Sequence, residues 1–363
     1  SYNMYGNFTN YGSALQSYAL QHAIDKVAPG EVKAIIVDYC PDVLADKDVL
    51  NPMGNMWDTD PAARERCRLT LPAIRENYAK FKRFYDRQYS LTSQKYTSSN
   101  FNDSLATENL DGYVCGSDTV FAVPEFGFDD GFYASYPVMQ QRSVAYAASF
   151  GDYDIATAHI PELKQRLHNF QAIALRENDK KPLVESLTDA PVYKVIDPTL
   201  LLTPEEYAGI IEEPEIKEPY LLLYSRRGDI RMQDFAEDFA RLHGLQIIEI
   251  SLNAQNAARH TMRYDAGVEE FLGLVKNAAV VITNSFHGMI FAVQFKRPFY
   301  IFSRKLCDTK IKEVLDLFGL PERLITTDIP SSLSEIQWDD VHCRISQARK
   351  ESQHILETLI YTI

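Results

Sequence analysis

The sequence predicts an α/β protein built from two doubly wound, Rossmann-like domains facing a cleft. Three observations predict it. Runs such as Tyr220–Tyr224 and Val280-Val281-Ile282-Thr283 are apolar without interruption, as in strands buried on both faces of a parallel sheet. These runs alternate with stretches of helical apolar spacing, the pattern of βαβ units. The 363 residues also exceed the size at which a single hydrophobic core stops growing.

The elements follow in order. Residues 1–12, rich in Asn, Gly and Tyr, read as a loop, and Ser13 is a plausible N-cap for a helix over 13–27 carrying Leu15, Ala19, Ala23 and Val27 on one face. Residues 32–39 read as a buried strand, 41–61 as an irregular insertion and 62–89 as a charged amphipathic helix. A short strand ends in Gly116-Ser117-Asp118, and Ser143 to Ala148 is another, leading to Ser149. A helix over 162–170, a strand over 172–175 ending at Arg176-Glu177, a helix over 180–187 and a strand over 192–196 complete the first series. The Pro/Glu-rich stretch 203–219 reads as the connection. The second series has strands at 220–224, 246–250, 279–283 and 299–302. Its helices lie at 232–243, 268–277, 287–294 and 310–317, and residues 340–363 read as one helix. Domain boundaries are therefore expected at 1–200 and 201–345, with the last helix, 346–363, packing back on the first domain.

Composition narrows the function. A net charge of −13, with no basic patch, argues against nucleic acid and against anionic membrane. No run reaches membrane-spanning length and no signal-peptide pattern is seen. The chain begins without Met in a loop-like segment, so a short leader or first strand is expected ahead of it. Five dispersed cysteines show neither a disulfide framework nor metal spacing, which makes a reducing cytoplasm the simplest home. The 21 Tyr and 19 Phe would suit a sugar ligand as well as a core. Asp58-Thr59-Asp60 is a carboxylate pair of the kind that binds metal in nucleotide-sugar enzymes, but it lies in an irregular segment. Cys115, at a strand end, has no base beside it in sequence.

Several strands terminate in small or ionisable residues. These are Asn10-Tyr11-Gly12, Gly116-Ser117-Asp118, Ser149, Arg176-Glu177, Asp197, Ser225-Arg226-Arg227 and Asn284-Ser285-Phe286-His287. In doubly wound folds ligands bind at the carboxyl ends of strands, where helix N-termini offer N–H groups to anions. The set suits an anionic substrate.

These segments, in this order, resemble those of the polysaccharide pyruvyl transferases. The resemblance is carried by Asn10-Tyr11-Gly12 with Leu15-Gln16 and Tyr18-Ala19-Leu20, by Gly116-Ser117-Asp118, by Tyr146-Ala147-Ala148-Ser149-Phe150-Gly151, by Arg176-Glu177, by Asp197-Pro198-Thr199-Leu200 and by the block from Phe271 to Gly288. The chain departs from the pattern at Thr119-Val120-Phe121 and at Asn178-Asp179. The resemblance implies a glycosyltransferase-B-like architecture, an acceptor side in the first domain and a donor side in the second. It implies transfer of pyruvate from phosphoenolpyruvate to two hydroxyls of a sugar or lipid-linked glycan, near the inner face of the membrane, with no metal and no cofactor demanded. Arg176, then Arg226 or Arg227, would anchor the donor's phosphate and carboxylate. Asn284, Ser285 and Gly288 would present helix N–H groups to it. His287 would be the acid/base, oriented or assisted by Asp118 or Glu177. Asn10, Gly12, Ser117 and Ser149 would complete substrate binding. Acceptor choice would rest with loops 41–61 and 119–140, including Phe126, Phe128, Phe132 and Tyr133. The rival readings are a nucleotide-sugar glycosyltransferase of the same architecture and a non-catalytic glycan-binding relative.

Overall fold

The computed structural model describes residues 9–45, 47–52, 62–226, 228–327 and 335–363. Chain contacts divide it into two compact units. The first comprises the described residues up to Lys47, Gln88–Leu202 and Ser346–Ile363; the second comprises those of Asp48–Arg87 and Thr203–Ile345. Residues 48–87 thus belong with the second unit, where chain order alone had placed them in the first.

The first unit holds a four-stranded parallel sheet: β1 (Tyr113–Cys115), β2 (Ser143–Ala148), β3 (Phe170–Leu175) and β4 (Val192–Lys194), in that spatial order. The order is sequential, so these four strands contain no reversal. β2 is buried at every position, which explains its unbroken apolar run. Two expectations shift here. The first helix runs Tyr11–Asp25 and is capped by Asn10, whose Oδ1 accepts from Gly12 N–H, so the cap lies three residues before Ser13. Residues 32–39 form only isolated bridges, Val32 to Pro29, Ile36 to Leu91 and Tyr39 to Tyr96. The ladder breaks because Asp38 N–H donates to Thr92 Oγ1 and Tyr39 N–H to Val37 O.

The second unit holds a six-stranded parallel sheet: β5 (Tyr220–Tyr224), β6 (Gln246–Ile250), β7 (Thr261–Met262), β8 (Val280–Thr283), β9 (Phe299–Phe302) and β10 (Leu324–Ile325). Its spatial order is β10-β9-β8-β5-β6-β7. Winding outward from β5 in both directions is the 3-2-1-4-5-6 order of dinucleotide-type folds, with the switch point between β5 and β8. The two-residue edge strands β7 and β10 carry too little apolar pattern to be read from sequence. Alternation divides the faces. Leu221, Leu223, Val280 and Ile282 pack against Met232, Ala236 and Ala240, a stripe on the helix Ile230–His243. Toward the other helices, Tyr224 meets Phe271 edge-on, with ring centroids 5.3 Å apart, and Phe271 meets Phe291. Each buried Leu or Val here contributes about 1.5–3 kcal/mol of transfer free energy. The helix Val268–Asn277 lies so close to the connecting segment that a Cβ on Gly273 would stand 1.9 Å from Glu212 O. Among the described residues no helix is long and apolar enough to cross a membrane.

Candidate functional site

Two groupings of polar residues occupy carboxyl ends of strands, one in each unit. In the first unit the centre is Arg176, the residue after β3, with its side chain 1% exposed. Its Nε donates to Glu177 Oε1 at 2.7 Å, Nη1 to Asp197 Oδ2 at 3.1 Å and Nη2 to Asp118 Oδ1 at 3.4 Å. Burial alone would lower its pKa, but Glu177, Asp118 and Asp197 outweigh burial and hold it above the ordinary value. The guanidinium that sequence offered to a donor's oxyanion is therefore engaged by three carboxylates of its own unit. Asp197 is the second hub. Its Oδ2 also accepts from Gln16 Nε2 at 2.7 Å, and its Oδ1 accepts from Thr199 N–H and Oγ1.

The backbone of the neighbouring turns places these groups. Gly116 has φ +132°, and a Cβ there would meet Tyr146 O at 2.1 Å, so only glycine fits. The Gly116–Ser117 peptide is cis. Ser117 Oγ donates to Ala147 O and accepts from Gln16 Nε2. Ala147 has φ +52° at a register shift of β2, which turns its carbonyl toward Ser117. Asp118, at φ +76°, accepts at its carbonyl from Ser149 N–H. Ser149 Oγ takes Gly151 N–H. Ser117, Asp118, Ser149, Arg176 and Glu177 thus form one connected group, and Asn10 and Gly12 open the helix that supplies Gln16. Two members had no assigned role in the sequence reading. Asp197 stood there only as a residue closing a strand; it caps the turn at Pro198, and its second oxygen serves Arg176. Gln16 lay inside the amino-terminal signature without a role. The available signal was a carboxylate closing a strand, shared by Asp118 and Asp197.

In the second unit the grouping straddles the switch point. Thr283 Oγ1 donates to Tyr224 O and accepts from Ser285 N–H. Asn284 Oδ1 accepts from Arg226 N–H at 2.9 Å, joining the turns after β8 and β5. Ser285 caps the nine-residue helix Phe286–Gln294, its Oγ accepting from Gly288 N–H. Gly288 permits this closeness: a Cβ would stand 2.8 Å from Thr283 Oγ1 and 2.9 Å from Tyr224 Cδ1. His287 is buried in the first turn, edge-on to Phe286. Arg226, Asn284, Ser285, His287 and Gly288 are thus neighbours in one set of turns. Arg227 and Asp58-Thr59-Asp60 lie outside the described residues.

A third polar group was invisible in sequence. Buried Glu249, in β6, accepts from His260 Nδ1 at 2.6 Å, from Asn256 Nδ2 and from Ser251 Oγ. Among the described residues no cluster of three or more His, Cys, Asp or Glu could hold a metal ion. Cys115 is buried, its Sγ directed to Gly131 O, and burial pushes its thiol up to about 12, far from a nucleophilic thiolate. The aromatics of 119–140 mostly pack on one another. Tyr133 stacks on Phe121 at 4.7 Å, and Phe126 meets Phe132 edge-on, so this loop carries its own small core.

With this geometry in view, the chain can be set beside known proteins. A family model described as polysaccharide pyruvyl transferase matches residues 10–305. No curated protein matches the chain. Among solved structures, one assigned as a UDP-N-acetylglucosamine 2-epimerase from Listeria monocytogenes is 11% identical with a TM-score of 0.51, covering 95% of this chain and 89% of that one. The UDP co-structure of MnaA from S. aureus is 13% identical with a TM-score of 0.48, covering 97% and 89%. The UDP-GlcNAc 2-epimerase of Neisseria meningitidis, bound to UDP-GlcNAc, is 11% identical with a TM-score of 0.45, covering 97% and 92%. The Listeria likeness speaks to the fold alone, a mixed α/β fold with parallel sheets.

Proposed function

The chain belongs to the polysaccharide pyruvyl transferase family, and on that premise we propose that it transfers pyruvate from phosphoenolpyruvate to two hydroxyls of a glycan sugar, forming a ketal and releasing phosphate. The observation that carries the reading is where the matched segments end. One set closes on buried carboxylates in the first unit, and the other on backbone donors and an imidazole in the second.

The reaction balances as follows. Two C2–O bonds form at the donor's enol carbon, and the C2–O bond to phosphate breaks. The C2–C3 double bond becomes single as C3 takes a proton. Of the two hydroxyl protons, one supplies C3 and the other leaves with phosphate. Asp118 and Glu177 are suited to take a hydroxyl proton, and Arg176 and Asp197 to hold them in place. With its nitrogens bonded to three carboxylates, Arg176 is read here as a positioning residue rather than a donor anchor. Arg226, with the N–H groups after Ser285, is then the candidate for the donor's anionic groups. His287 is suited to carry the proton to C3. The acceptor would be a cell-surface or exopolysaccharide glycan, or its lipid-linked precursor, met at the cytoplasmic face of the membrane.

Calorimetry of phosphoenolpyruvate, UDP and GDP against wild type, Arg226→Ala and His287→Ala tests the donor. Phosphoenolpyruvate binding that weakens in Arg226→Ala, without nucleotide binding, supports the reading. Nucleotide binding without phosphoenolpyruvate binding replaces it with a nucleotide-sugar glycosyltransferase.

A further inference from the structure

We propose that the first turn of the helix Tyr11–Asp25, with Ser13 and Gln16, binds hydroxyls of the acceptor sugar; this deepens the pyruvyl-transfer reading and rests on it for the word acceptor. Ser13 is 2% exposed and Gln16 1% exposed. Yet Ser13 Oγ and Gln16 Oε1 have no hydrogen-bond partner. A buried polar atom left unsatisfied is costly, and two occur together on one helix face, three residues apart. Gln16 is not loosely held. Its Nε2 donates to Ser117 Oγ at 3.2 Å and to Asp197 Oδ2 at 2.7 Å, which aims Oε1 away from both.

The helix end adds donors. Asn10 takes the N–H of Gly12 on its side chain and that of Ala14 on its carbonyl. The N–H of Ser13 lies between them in the same first turn. The first turn contains no acidic residue.

The chemical class of the ligand follows from the mixture. A helix N-terminus by itself suits an anion. Gln16 Oε1, however, is an acceptor held beside the Asp197 carboxylate, and a phosphate or carboxylate would bring only further acceptors to it. A hydroxyl satisfies both sides, donating to Gln16 Oε1 while accepting from a first-turn N–H. A sugar diol offers two such groups, with Ser13 Oγ free to donate or accept. Ser117, bonded to Gln16, immediately precedes Asp118, so a hydroxyl bound here lies beside the turn carrying the carboxylate suited to take its proton.

The test is saturation-transfer NMR of the full chain with methyl α-D-gluco-, galacto- and mannopyranoside, with calorimetry of phosphoenolpyruvate and inorganic phosphate in parallel. Wild type, Ser13→Ala and Gln16→Met are compared. Wild type is expected to bind at least one pyranoside. Ser13→Ala is expected to weaken it roughly fivefold to tenfold, the worth of one hydrogen bond. It should leave phosphoenolpyruvate binding unchanged and should not lower Tm, because it removes an unsatisfied hydroxyl. Gln16→Met keeps the volume and loses the acceptor. It should weaken the sugar by a similar factor even though it lowers Tm, and it keeps the test open if Ser13→Ala does not fold. A lower Tm in Ser13→Ala with unchanged sugar affinity would mean a structural hydroxyl and overturn the proposal. So would loss of phosphate binding in place of sugar binding, or no pyranoside bound by wild type. Sugar binding that depends on Ser13, in a protein that does not bind phosphoenolpyruvate, would leave the subsite standing and remove the donor reading.

Discussion

At the carboxyl edge of the four-stranded sheet, three carboxylates close around one guanidinium, and each nitrogen of Arg176 donates to one of them. At the carboxyl edge of the six-stranded sheet, the turns after β5 and β8 are tied by an amide, two hydroxyls and backbone groups. The same topological position therefore carries different polar chemistry in the two units. A surplus of buried acid can receive a proton but repels an anionic donor. A helix N-terminus with Arg226 in the neighbouring turn favours an anion, and in the proposed reading the proton transfer there falls to His287. The difference teaches that position in an α/β fold says where a ligand can bind, while the local charge balance says which one.

The contrast can be broken at its strongest point. Replacing Arg176 with Met leaves buried carboxylates without their cation, and the loss is expected to be about 3–5 kcal/mol in urea unfolding. His287→Gln is expected to cost about 1 kcal/mol of stability while lowering phosphate release from phosphoenolpyruvate by roughly 10²–10⁴-fold. An Arg176→Met protein as stable as wild type would show that the carboxylate ring is not a coupled unit.

The two glycines sharpen the comparison at the next level. Gly116→Ala forces a Cβ onto Tyr146 O at a positive φ and is expected to destabilise by about 3 kcal/mol or more. Gly288→Ala meets side-chain atoms that can shift, and about 1–2 kcal/mol is expected. Equal midpoints for the two variants would contradict the tighter backbone packing of the first edge. Ser285→Ala removes a helix cap and should cost about 1 kcal/mol, measurable as a small drop in Tm.

A weaker signature lies in pH dependence of the first unit. Burial pushes Asp38 and Asp129 up to about 6, from ordinary values near 3.8. Asp129 is held there although Tyr39 O–H and the N–H groups of Gly131 and Phe132 favour its charged form. A raised acid binds its proton more tightly in the folded state. Its contribution is therefore fullest below about pH 4, falls as pH rises to about 6, and is level above. Asp129→Asn should flatten part of that fall in unfolding midpoints between pH 4 and 6. A slope unchanged by the substitution would show that Asp129 does not titrate in that window.

Much of this protein was legible in its residues. Fully apolar runs such as Val144 to Ala148 and Leu221 to Tyr224 can be satisfied only by strands covered on both faces, so parallel sheets followed directly. The helix Val268–Asn277 and the turn at Asn284-Ser285 were readable from spacing and capping chemistry. Tertiary structure decided what local pattern cannot carry. Residues 32–39 have strand composition, but Thr92 Oγ1 takes a ladder donor and leaves bridges. Arg176 reads as an anion anchor until Asp118 and Asp197, 58 and 21 residues away in the chain, occupy its fork. Asp197 reads as one more strand-ending residue until its second oxygen meets Gln16, 181 residues away. Periodicity is a property of neighbours along the chain and survives in the sequence. Charge compensation is a property of neighbours in space, and only the folded chain brings those partners together.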